Sequence, residues 1–223
     1  MHAMHWIRSH IVLAPLPGRF ASVQLIDRHD PDRDEVESFI SDVYRERYSA
    51  ALRSFFPHLL VYRDSDGRLA AAVGVRAGGE GPLFVEHYLD APVEQVMAHQ
   101  QIAQIDRRLI VEAGNFAATT PGIARELILQ LALTLQSAGM TWVLLVATRQ
   151  LRNAFERLHL PMIELAEARA ERLGDAGGDW GSYYASRPRL ICGNLAEGVA
   201  YLRGRHMPRT CSGTPDLCLA GSP

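Results

Sequence analysis

The chain has 223 residues, of which 48% are hydrophobic and 22% are charged. This composition can bury one substantial core and excludes disorder of the whole chain. The formal net charge of -2 at pH 7 excludes a global field that would draw the protein to nucleic acid or to an anionic membrane. All 23 basic residues are arginine. Enzymes that need a lysine ammonium, such as Schiff-base lyases and P-loop nucleotide hydrolases, are therefore excluded as well.

Neither a membrane-spanning segment nor a signal sequence is predicted. The longest apolar runs, residues 127–135 and 142–147, are far shorter than the roughly 20 residues that a membrane-spanning helix needs. The N-terminal apolar run 11–16 is short and is broken by Pro15 and Pro17, unlike the apolar core of a signal sequence. We therefore expect a cytoplasmic protein.

The first predicted elements are a strand, a helix and a hairpin. Alternation predicts a strand over residues 21–27, and Pro31 within an acidic segment marks the beginning of a helix over 33–52. Apolar residues at helical spacing give this helix one buried face. Two apolar runs, 58–63 and 69–76, flank the turn Asp64-Ser65-Asp66-Gly67, which predicts an antiparallel hairpin.

The second half of the chain predicts a βαβ unit. A glycine-rich loop at 77–82 leads to the alternating run 83–88 and then to a helix from Asp90 to about Ile105. The next elements in order are a strand at 108–114, an apolar helix at 123–138, a buried strand at 142–148 and a helix at 151–158. A strand, a helix and a strand in this order imply two parallel strands with a right-handed crossover.

These elements predict an α/β (α+β) fold with a mixed, mostly antiparallel sheet flanked by helices. We expect a single domain over residues 1–203 and a mobile tail over 204–223, where Pro, Gly, Ser, Thr and Cys replace periodic patterns. Three cysteines do not make a disulfide framework in a chain of this length. A metal would have to use His206, Cys211 and Cys218, whose spacing is irregular. No metal site is therefore predicted.

The segment between the 108–114 strand and the 123–138 helix predicts an anion site. Glycine and small residues at a helix N-terminus leave backbone N–H groups open to phosphate oxygens. The run Thr119-Thr120-Pro121-Gly122-Ile123-Ala124 resembles the pyrophosphate-binding loop of GNAT acyltransferases, usually Gln or Arg, two residues, Gly, one residue, then Gly or Ala. Thr119 stands where Gln or Arg is usual, and Arg125 offers a cation nearby.

Two further segments resemble acyltransferases. Asn153-Ala154-Phe155 is similar to the GNAT helix in which an asparagine and an aromatic residue lie along the pantetheine arm. Residues 111–116, with Glu112, Asn115 and Phe116, resemble the acyl-homoserine-lactone synthases, in which a polar residue and an aromatic follow a glutamate on a strand. Asn115 stands where those enzymes place an arginine.

Over residues 38–193 the chain resembles the thermostable hemolysin family, an acyltransferase-like branch of the GNAT superfamily that borders the acyl-homoserine-lactone synthases. The segments that carry this resemblance are Leu83-Phe84-Val85-Glu86-His87-Tyr88-Leu89-Asp90, Glu112-Ala113-Gly114-Asn115, Ala147-Thr148 with Leu151-Arg152-Asn153, and Asp179-Trp180-Gly181-Ser182-Tyr183-Tyr184 before Pro188.

The resemblance implies a GNAT-like domain whose βαβ unit binds the acyl donor, either acyl-CoA or the phosphopantetheine of an acyl carrier protein. The partners would be that thioester and a small-molecule amine, with no nucleic acid and no metal. It assigns catalysis to Glu112, Asn115 and Tyr184; cofactor binding to Ala117, Thr119, Gly122, Ile123, Ala124, Arg125 and Asn153; and substrate binding to Glu86, Phe116, Thr148 and Trp180.

Structural roles stay open for several of these side chains. Glu112 can pair with an arginine, Glu86 can be an exposed edge-strand residue, Arg125 can be solvated, and Asn153 can cap its helix. The candidate ion-pair partners of Glu112 are Arg76 and Arg108. The aromatic cluster of Trp180, Tyr183 and Tyr184 can be ordinary core instead of the wall of an acyl tunnel.

Three functions remain for the chain as a whole. The first is an N-acyltransferase that loads a medium or long acyl chain onto an amino acid or another small amine. The second is direct lysis of membranes, which requires an exposed amphipathic surface; the run 127–135 is instead apolar nearly all round, as a core helix is. The third is a binding module that has kept the fold without catalysis.

Overall fold

Eight strands and five α-helices make up the part of the chain that the computed structural model describes, residues 11–13, 18–119 and 122–206. The strands are β1 (Ile11–Leu13), β2 (Ser22–Ile26), β3 (His58–Arg63), β4 (Leu69–Ala77), β5 (Ile110–Ala118), β6 (Trp142–Ala147), β7 (Ile163–Glu167) and β8 (Arg189–Asn194). The helices are α1 (Arg33–Tyr48), α2 (Val93–His99), α3 (Ala124–Ser137), α4 (Arg149–Arg157) and α5 (Leu195–His206). Short 3₁₀ segments join several of these elements.

All eight strands form one sheet in the order β1-β2-β3-β4-β5-β6-β8-β7. Strands β1 to β5 pair with their neighbours in antiparallel fashion, as do β6, β8 and β7. Only β5 and β6 are parallel, and α3 connects them. The predicted mixed sheet, the hairpin β3-β4 and the βαβ unit are thereby confirmed.

The two faces of the sheet carry different helices. Side chains of α3, α4 and α5 pack with Val111, Ala113 and Leu145 on one face, called the α3 face below. Side chains of α1 pack with Leu59 and Ala72, and those of α2 pack with Leu144, on the opposite face, called the α1 face. This division follows from the alternation of side chains along each strand.

A β-bulge in β5 changes this alternation. Ala72 of β4 pairs with Ala117, whereas Gly74 pairs with Gly114, so that β5 carries one extra residue between the two pairs. Asn115 lies at this point with a φ of 47°. An extra residue moves every following side chain to the other face. Odd-numbered residues of β5 pack on the α3 face before the bulge, and even-numbered Phe116 and Ala118 pack there after it.

Strands β5 and β6 separate at the bulge. Their parallel pairing ends at Ala113 and Leu145. Beyond that point β5 continues along β4 to Ala118, while β6 continues along β8 to Ala147. Since each strand follows a different neighbour, a gap opens between them near the middle of the sheet.

Several predicted boundaries were wrong, each for a local reason. Helix α1 ends at Tyr48 instead of residue 52, because Ser49 has a φ of 53° and its N–H donates to the Arg45 carbonyl. Helix α2 ends at His99 instead of Ile105, and Gln101 then takes a φ of 57°. Strand β5 does not end at Gly114 but continues to Ala118 through the bulge.

The run 83–88 is a 3₁₀ segment, Phe84–Tyr88, and not the predicted strand. The Glu86 carboxylate accepts a hydrogen bond from the Leu83 N–H at 2.8 Å, and the Glu86 N–H donates to the Leu83 carbonyl. This reciprocal capping closes a helical turn. Alternating apolar residues therefore did not decide the backbone here.

The C-terminal prediction is partly outside the described residues. Residues 204–206 complete α5 instead of beginning the expected tail. Residues 207–223 lie beyond the described ranges, and so do Cys211, Cys218 and the side chain of His206. Strands β7 and β8 and helix α5, to which the sequence assigned no element, complete the sheet edge and the α3 face. Within the described residues, no helix is both long and apolar enough to cross a membrane.

Gly181 fixes the C-terminal aromatic segment to the end of α1. Its φ of 51° and ψ of -127° are accessible in practice only to glycine. A Cβ at this position would lie 2.2 Å from the Tyr48 carbonyl oxygen. That oxygen accepts a hydrogen bond from the Ser182 N–H at 2.8 Å.

We predict that Gly181→Ala lowers the free energy of unfolding by about 3 kcal/mol, since backbone strain and a clash with the backbone add. Gly67→Ala is the matched control, because Gly67 also has a positive φ of 76° but would place its Cβ in open space. The control should cost only about 1 kcal/mol. Denaturant unfolding measures both values, and equal losses would contradict the proposed contact.

Candidate functional site

The gap between β5 and β6 opens into a cavity of about 140 Å³ that is lined from both faces of the sheet. Aromatic residues and Glu112 line it on the α1 face, and the first turn of α3 lines it on the α3 face. A cleft that reaches both faces at separated strands is a place where two ligands can meet. Ten of the predicted site residues line it: Glu112, Asn115, Phe116, Ala117, Gly122, Ile123, Ala124, Thr148, Trp180 and Tyr184.

Glu112 is the only acidic side chain that lines the cavity in the described part of the chain. It is 1% exposed, and its carboxylate accepts hydrogen bonds from the N–H groups of Phe84 at 2.7 Å and Val85 at 3.0 Å. Burial raises the pKa of this carboxyl to about 7, although the two amides and the charge of Arg76 oppose the rise. Glu112 can therefore gain and lose a proton near neutral pH.

The alternative in which Glu112 forms an arginine ion pair is wrong. Arg108 pairs with Asp106 instead. Arg76 donates to the Pro82 carbonyl at 3.0 Å and acts on Glu112 only through its charge. The partners of Glu112 are backbone amides at the N-terminus of the 3₁₀ segment. Glu112 lies inside β5, since the strand continues for six residues beyond it.

Two tyrosines, Tyr88 and Tyr184, line the same cavity as Glu112. The hydroxyls of Tyr88 and Tyr184 share a short hydrogen bond. Burial raises the pKa of Tyr184 to about 12, and its bond to Tyr88 opposes the rise. Burial also raises the pKa of Tyr88, and the charges of Tyr184 and Glu112 add to that effect. Both phenols are therefore protonated at neutral pH and can donate a proton or a hydrogen bond.

An aromatic wall covers the α1 face of the cavity. Trp180 lies between Tyr183, with ring centroids 5.2 Å apart, and Phe84, at 5.9 Å. Tyr44 and Tyr48 of α1 pack against Tyr183 at 6.2 Å and 5.2 Å. The Tyr183 hydroxyl donates to the carbonyl of Val146 at 3.1 Å, which holds the wall against β6. These rings thus belong both to the core and to the cavity.

Asn115 lines the cavity and also anchors the loop before β3. Its Oδ1 accepts a hydrogen bond from the Phe56 N–H at 3.1 Å. The Phe56 side chain covers Gly74 and Gly114. A Cβ added at Gly74 would lie 2.7 Å from the Phe56 Cβ, and one added at Gly114 would lie 2.6 Å from the Phe56 ring. Buried Arg33 donates to the carbonyls of Phe56 at 2.6 Å and Pro57 at 3.2 Å. The loop before β3 therefore holds the bulge in place.

The first turn of α3 faces the cavity from the α3 face. Gly122, Ile123 and Ala124 line the cavity, and Gly122 has a φ of 93° with open space where a Cβ would be. The first N–H groups of a helix have no intrahelical acceptor and lie at the positive end of its dipole. This arrangement fits a phosphate or another anion. Thr120 and Pro121 of the same motif lie outside the described residues.

Four predicted site residues do not line the cavity. Thr119 donates through its N–H and its hydroxyl to the Ala70 carbonyl beside β4. Arg125 is exposed in the first turn of α3. Asn153 is exposed in α4 and does not cap that helix, because the Thr148 hydroxyl accepts from the Leu151 N–H one turn earlier. The helix begins at Arg149, two residues before the predicted start.

Glu86 lies outside the cavity in a structural ion pair. Arg107 contacts its carboxylate through two nitrogens, at 2.6 Å and 2.8 Å, and also pairs with Glu94 at 2.8 Å. Glu86 further accepts from the Val93 N–H at 3.0 Å. Although it is partly buried, hydrogen bonds from Arg107, Leu83 and Val93 lower its pKa to about 2. Glu86 is therefore a fixed anion that joins the 3₁₀ segment to α2.

Tyr88 and Arg47 are among the cavity residues that were missing from the predicted site. Tyr88 belongs to a segment that carries the family resemblance, but its contact with Tyr184 joins residues 96 positions apart. Arg47 lies three residues after Tyr44 and one before Tyr48 on α1. A cation at the edge of an apolar helix face is the only sequence signal for it.

Solved structures of several synthases share this fold. The AHL synthase LasI matches with a TM-score of 0.57 at 15% identity, over 82% of this chain and 94% of that chain. FeeM, an N-acyl amino acid synthase from uncultured soil microbes, matches with a TM-score of 0.55 at 12% identity, over 83% and 97%. The CoA-dependent acyl-homoserine lactone synthase BjaI, with SAM and isopentyl-CoA, matches with a TM-score of 0.56 at 11% identity, over 84% and 89%. These likenesses confirm the predicted GNAT-like fold.

Sequence comparison gives the family. No curated protein matches the chain. The pattern of the thermostable hemolysin family matches residues 26–199, which include every predicted site residue. This agrees with the resemblance found over residues 38–193. The chain therefore belongs to the thermostable hemolysin family.

Proposed function

We propose that the protein is an N-acyltransferase that moves an acyl group from a thioester to the amine of a small molecule. The observation that carries this proposal is the cavity between β5 and β6, which brings a buried carboxyl with a pKa near 7 and a helix N-terminus to opposite faces of one gap. The acyl donor would then bind on the α3 face of the sheet and the amine on the α1 face. The fold that is shared with several synthases supports the same class of reaction.

On the α3 face, residues 122–124 are suited to the anionic part of the donor. Backbone N–H groups of this first turn are hydrogen-bond donors in a fixed geometry, and Gly122 leaves room for close approach. The donor is either acyl-CoA or an acyl carrier protein, since both present a phosphorylated pantetheine arm. BjaI, which has this fold, is a CoA-dependent synthase. Leu127, Ile128 and Leu151 line the cavity on this face, and these apolar side chains favour a medium or long acyl chain.

On the α1 face, Glu112 is suited to be the general base. It would take a proton from the ammonium of the acceptor, and the freed amine nitrogen would attack the thioester carbonyl carbon. A C–N bond forms as the C–S bond breaks, and the sulfur leaves as a thiolate. Tyr184 would donate a proton to that sulfur, and the second proton of the amine would restore the phenol. The net products are an amide, a thiol and one proton released to solvent.

Direct action on membranes has less support. Leu127, Leu131 and Leu135 of α3 are at most 5% exposed and pack against the sheet. These three leucines are therefore not offered to a lipid surface. An amphiphilic acylated product would give a lytic effect indirectly. A cytoplasmic location and the choice of donor remain predictions.

The first test is thiol release from acyl-CoA and acyl-carrier-protein donors of several chain lengths, each with amino acids and simple amines. Glu112→Gln should lower the amine-dependent rate by about 10²- to 10⁴-fold, because the general base is lost. Glu80→Gln is the matched control, since Glu80 is also a partly buried carboxylate that accepts a backbone N–H, from Ala77, but lies outside the cavity. Equal losses in the two variants would contradict the role of Glu112, and no release with any donor would contradict acyl transfer.

The second test is the pH dependence of the rate. Because the carboxylate must be ionised, the rate should rise about tenfold per pH unit below pH 7 and level off above it. A folded-state pKa raised from 4.5 to about 7 also means that the native chain holds an extra proton between these values. Its contribution to stability is full below pH 4.5, and roughly 3 kcal/mol is lost as pH rises through 7. Denaturant unfolding of Glu112→Gln should lack this loss, and an unchanged pH slope would contradict the assignment.

The third test concerns the donor site at α3. Gly122→Val should raise the KM for the acyl donor at least tenfold, because a branched side chain would fill the approach to the helix N-terminus. Gly139→Val is the matched control: Gly139 has a similar φ of 83° and equally open surroundings, but it does not line the cavity. Both variants carry comparable backbone strain. Steady-state kinetics with varied donor distinguish them, and an equal KM in both would oppose a donor site at Gly122.

A further inference from the structure

We propose that Arg47 binds the carboxylate of the acceptor, so that the enzyme selects an α-amino acid over a simple amine. This inference rests on the proposed acyl transfer and adds to it the chemical class of the acceptor. It assigns a specificity-determining role to a side chain that the sequence did not single out.

The charges that line the cavity are complementary to those of an amino acid. Of the described side chains that line it, one is cationic, Arg47, and one is acidic, Glu112. A zwitterionic amino acid presents the opposite pair: an ammonium for Glu112 and a carboxylate for Arg47. A simple amine would leave the guanidinium unused, whereas guanidinium groups bind carboxylates with two parallel hydrogen bonds.

Arg47 has no carboxylate partner among the described residues. Arg45, two residues earlier on α1, pairs with Asp42 at 2.6 Å. Arg33 pairs with Glu37, and Arg63 pairs with Glu35 and Asp32. Arg47 is exposed at the cavity and forms no ion pair of this kind. Its charge is therefore available to a ligand.

The side of the sheet on which Arg47 lies also favours the acceptor. Arg47 is on α1, which packs on the α1 face with the aromatic wall and on the same side as Glu112. Burial raises the pKa of Tyr44, and the charge of Arg47 opposes the rise. The Tyr44 hydroxyl is hydrogen-bonded to the backbone of Phe116 at the bulge. The helix N-terminus that suits the donor phosphates is on the other face. Arg47 is therefore placed to bind the acceptor and not the phosphates of the donor.

The cavity that Arg47 and Glu112 line also has aromatic side chains. Tyr48, Trp180 and Tyr183 line the same part of the cavity. An amino acid held by its ammonium and its carboxylate would place its side chain against these rings. Apolar or aromatic side chains gain from this burial, and charged ones would be desolvated without a partner. The preferred acceptor is thus an α-amino acid with an apolar or aromatic side chain.

The test compares three acceptors that differ only at the carboxylate: phenylalanine, phenylalanine amide and phenethylamine. With the wild-type protein, kcat/KM should be highest for the amino acid. Arg47→Gln should raise the KM for phenylalanine about 10- to 100-fold, as expected for loss of a charge-assisted hydrogen bond. The KM for the donor and the rate with phenethylamine should change less than about twofold. Arg45→Gln is the matched control on the same turn and should change neither.

Two further variants separate charge from structure. Arg47→Lys keeps the cation and should recover part of the affinity for phenylalanine, whereas Arg47→Glu should reverse the preference in favour of phenylalanine amide. If the wild type accepts phenethylamine as well as phenylalanine, or if Arg47→Gln affects only the donor KM, the assignment is overturned while acyl transfer stands.

A binding measurement decides the question even without turnover. Calorimetric titration of phenylalanine into the wild type should show binding that Arg47→Gln weakens and Arg45→Gln leaves intact. If no amine releases thiol, the proposed reaction fails, but this titration still tests Arg47. Absence of phenylalanine binding, or equal binding by the wild type and Arg47→Gln, would overturn the inference.

Discussion

One extra residue in β5 controls how this sheet is built around its cavity. With Asn115 inserted opposite β4, the strand changes which face each side chain occupies and turns away from β6. The two strands then follow different neighbours, and the gap between them becomes the cavity. A bulge of this kind leaves ladder groups to be satisfied elsewhere. The Tyr44 hydroxyl is hydrogen-bonded to the backbone of Phe116 beside the bulge. The Phe56 N–H donates to the Asn115 side chain, and Arg33 fixes Phe56 by binding its carbonyl.

The buried carboxyl of Glu112 is tolerated because the backbone at Phe84 and Val85 donates hydrogen bonds to it. Two N–H groups of the 3₁₀ segment donate to its oxygens, and the segment itself is closed by Glu86 and Arg107. Desolvation still dominates, and the pKa rises to about 7. The two glutamates are thus opposite in character. Glu86 is stabilised as a permanent anion with a pKa of about 2, while Glu112 is left able to exchange its proton near neutral pH.

The sequence was most informative where burial alone determines structure. Apolar periodicity predicted the hairpin, the βαβ unit and α3, and family resemblance gave ten residues that line the cavity. The predicted elements were wrong where a side chain bonds to the backbone. The Glu86 carboxylate turns an alternating run into a 3₁₀ segment, and the Thr148 hydroxyl caps α4 so that the helix begins before the predicted start. Contacts between distant parts of the chain, such as that of Tyr88 with Tyr184, leave no local pattern to detect.

The departure at Thr119 from the usual GNAT loop has a structural explanation that does not weaken the proposed donor site. Thr119 bonds through its N–H and hydroxyl to the Ala70 carbonyl beside β4, and it does not line the cavity. The first turn of α3, with Gly122, is what faces the gap. A side chain at 119 is therefore not required for backbone N–H groups to meet an anion. Since donor and acceptor would approach from opposite faces, changes on the α1 face, such as those at Arg47, can alter the acceptor without altering how the donor is held.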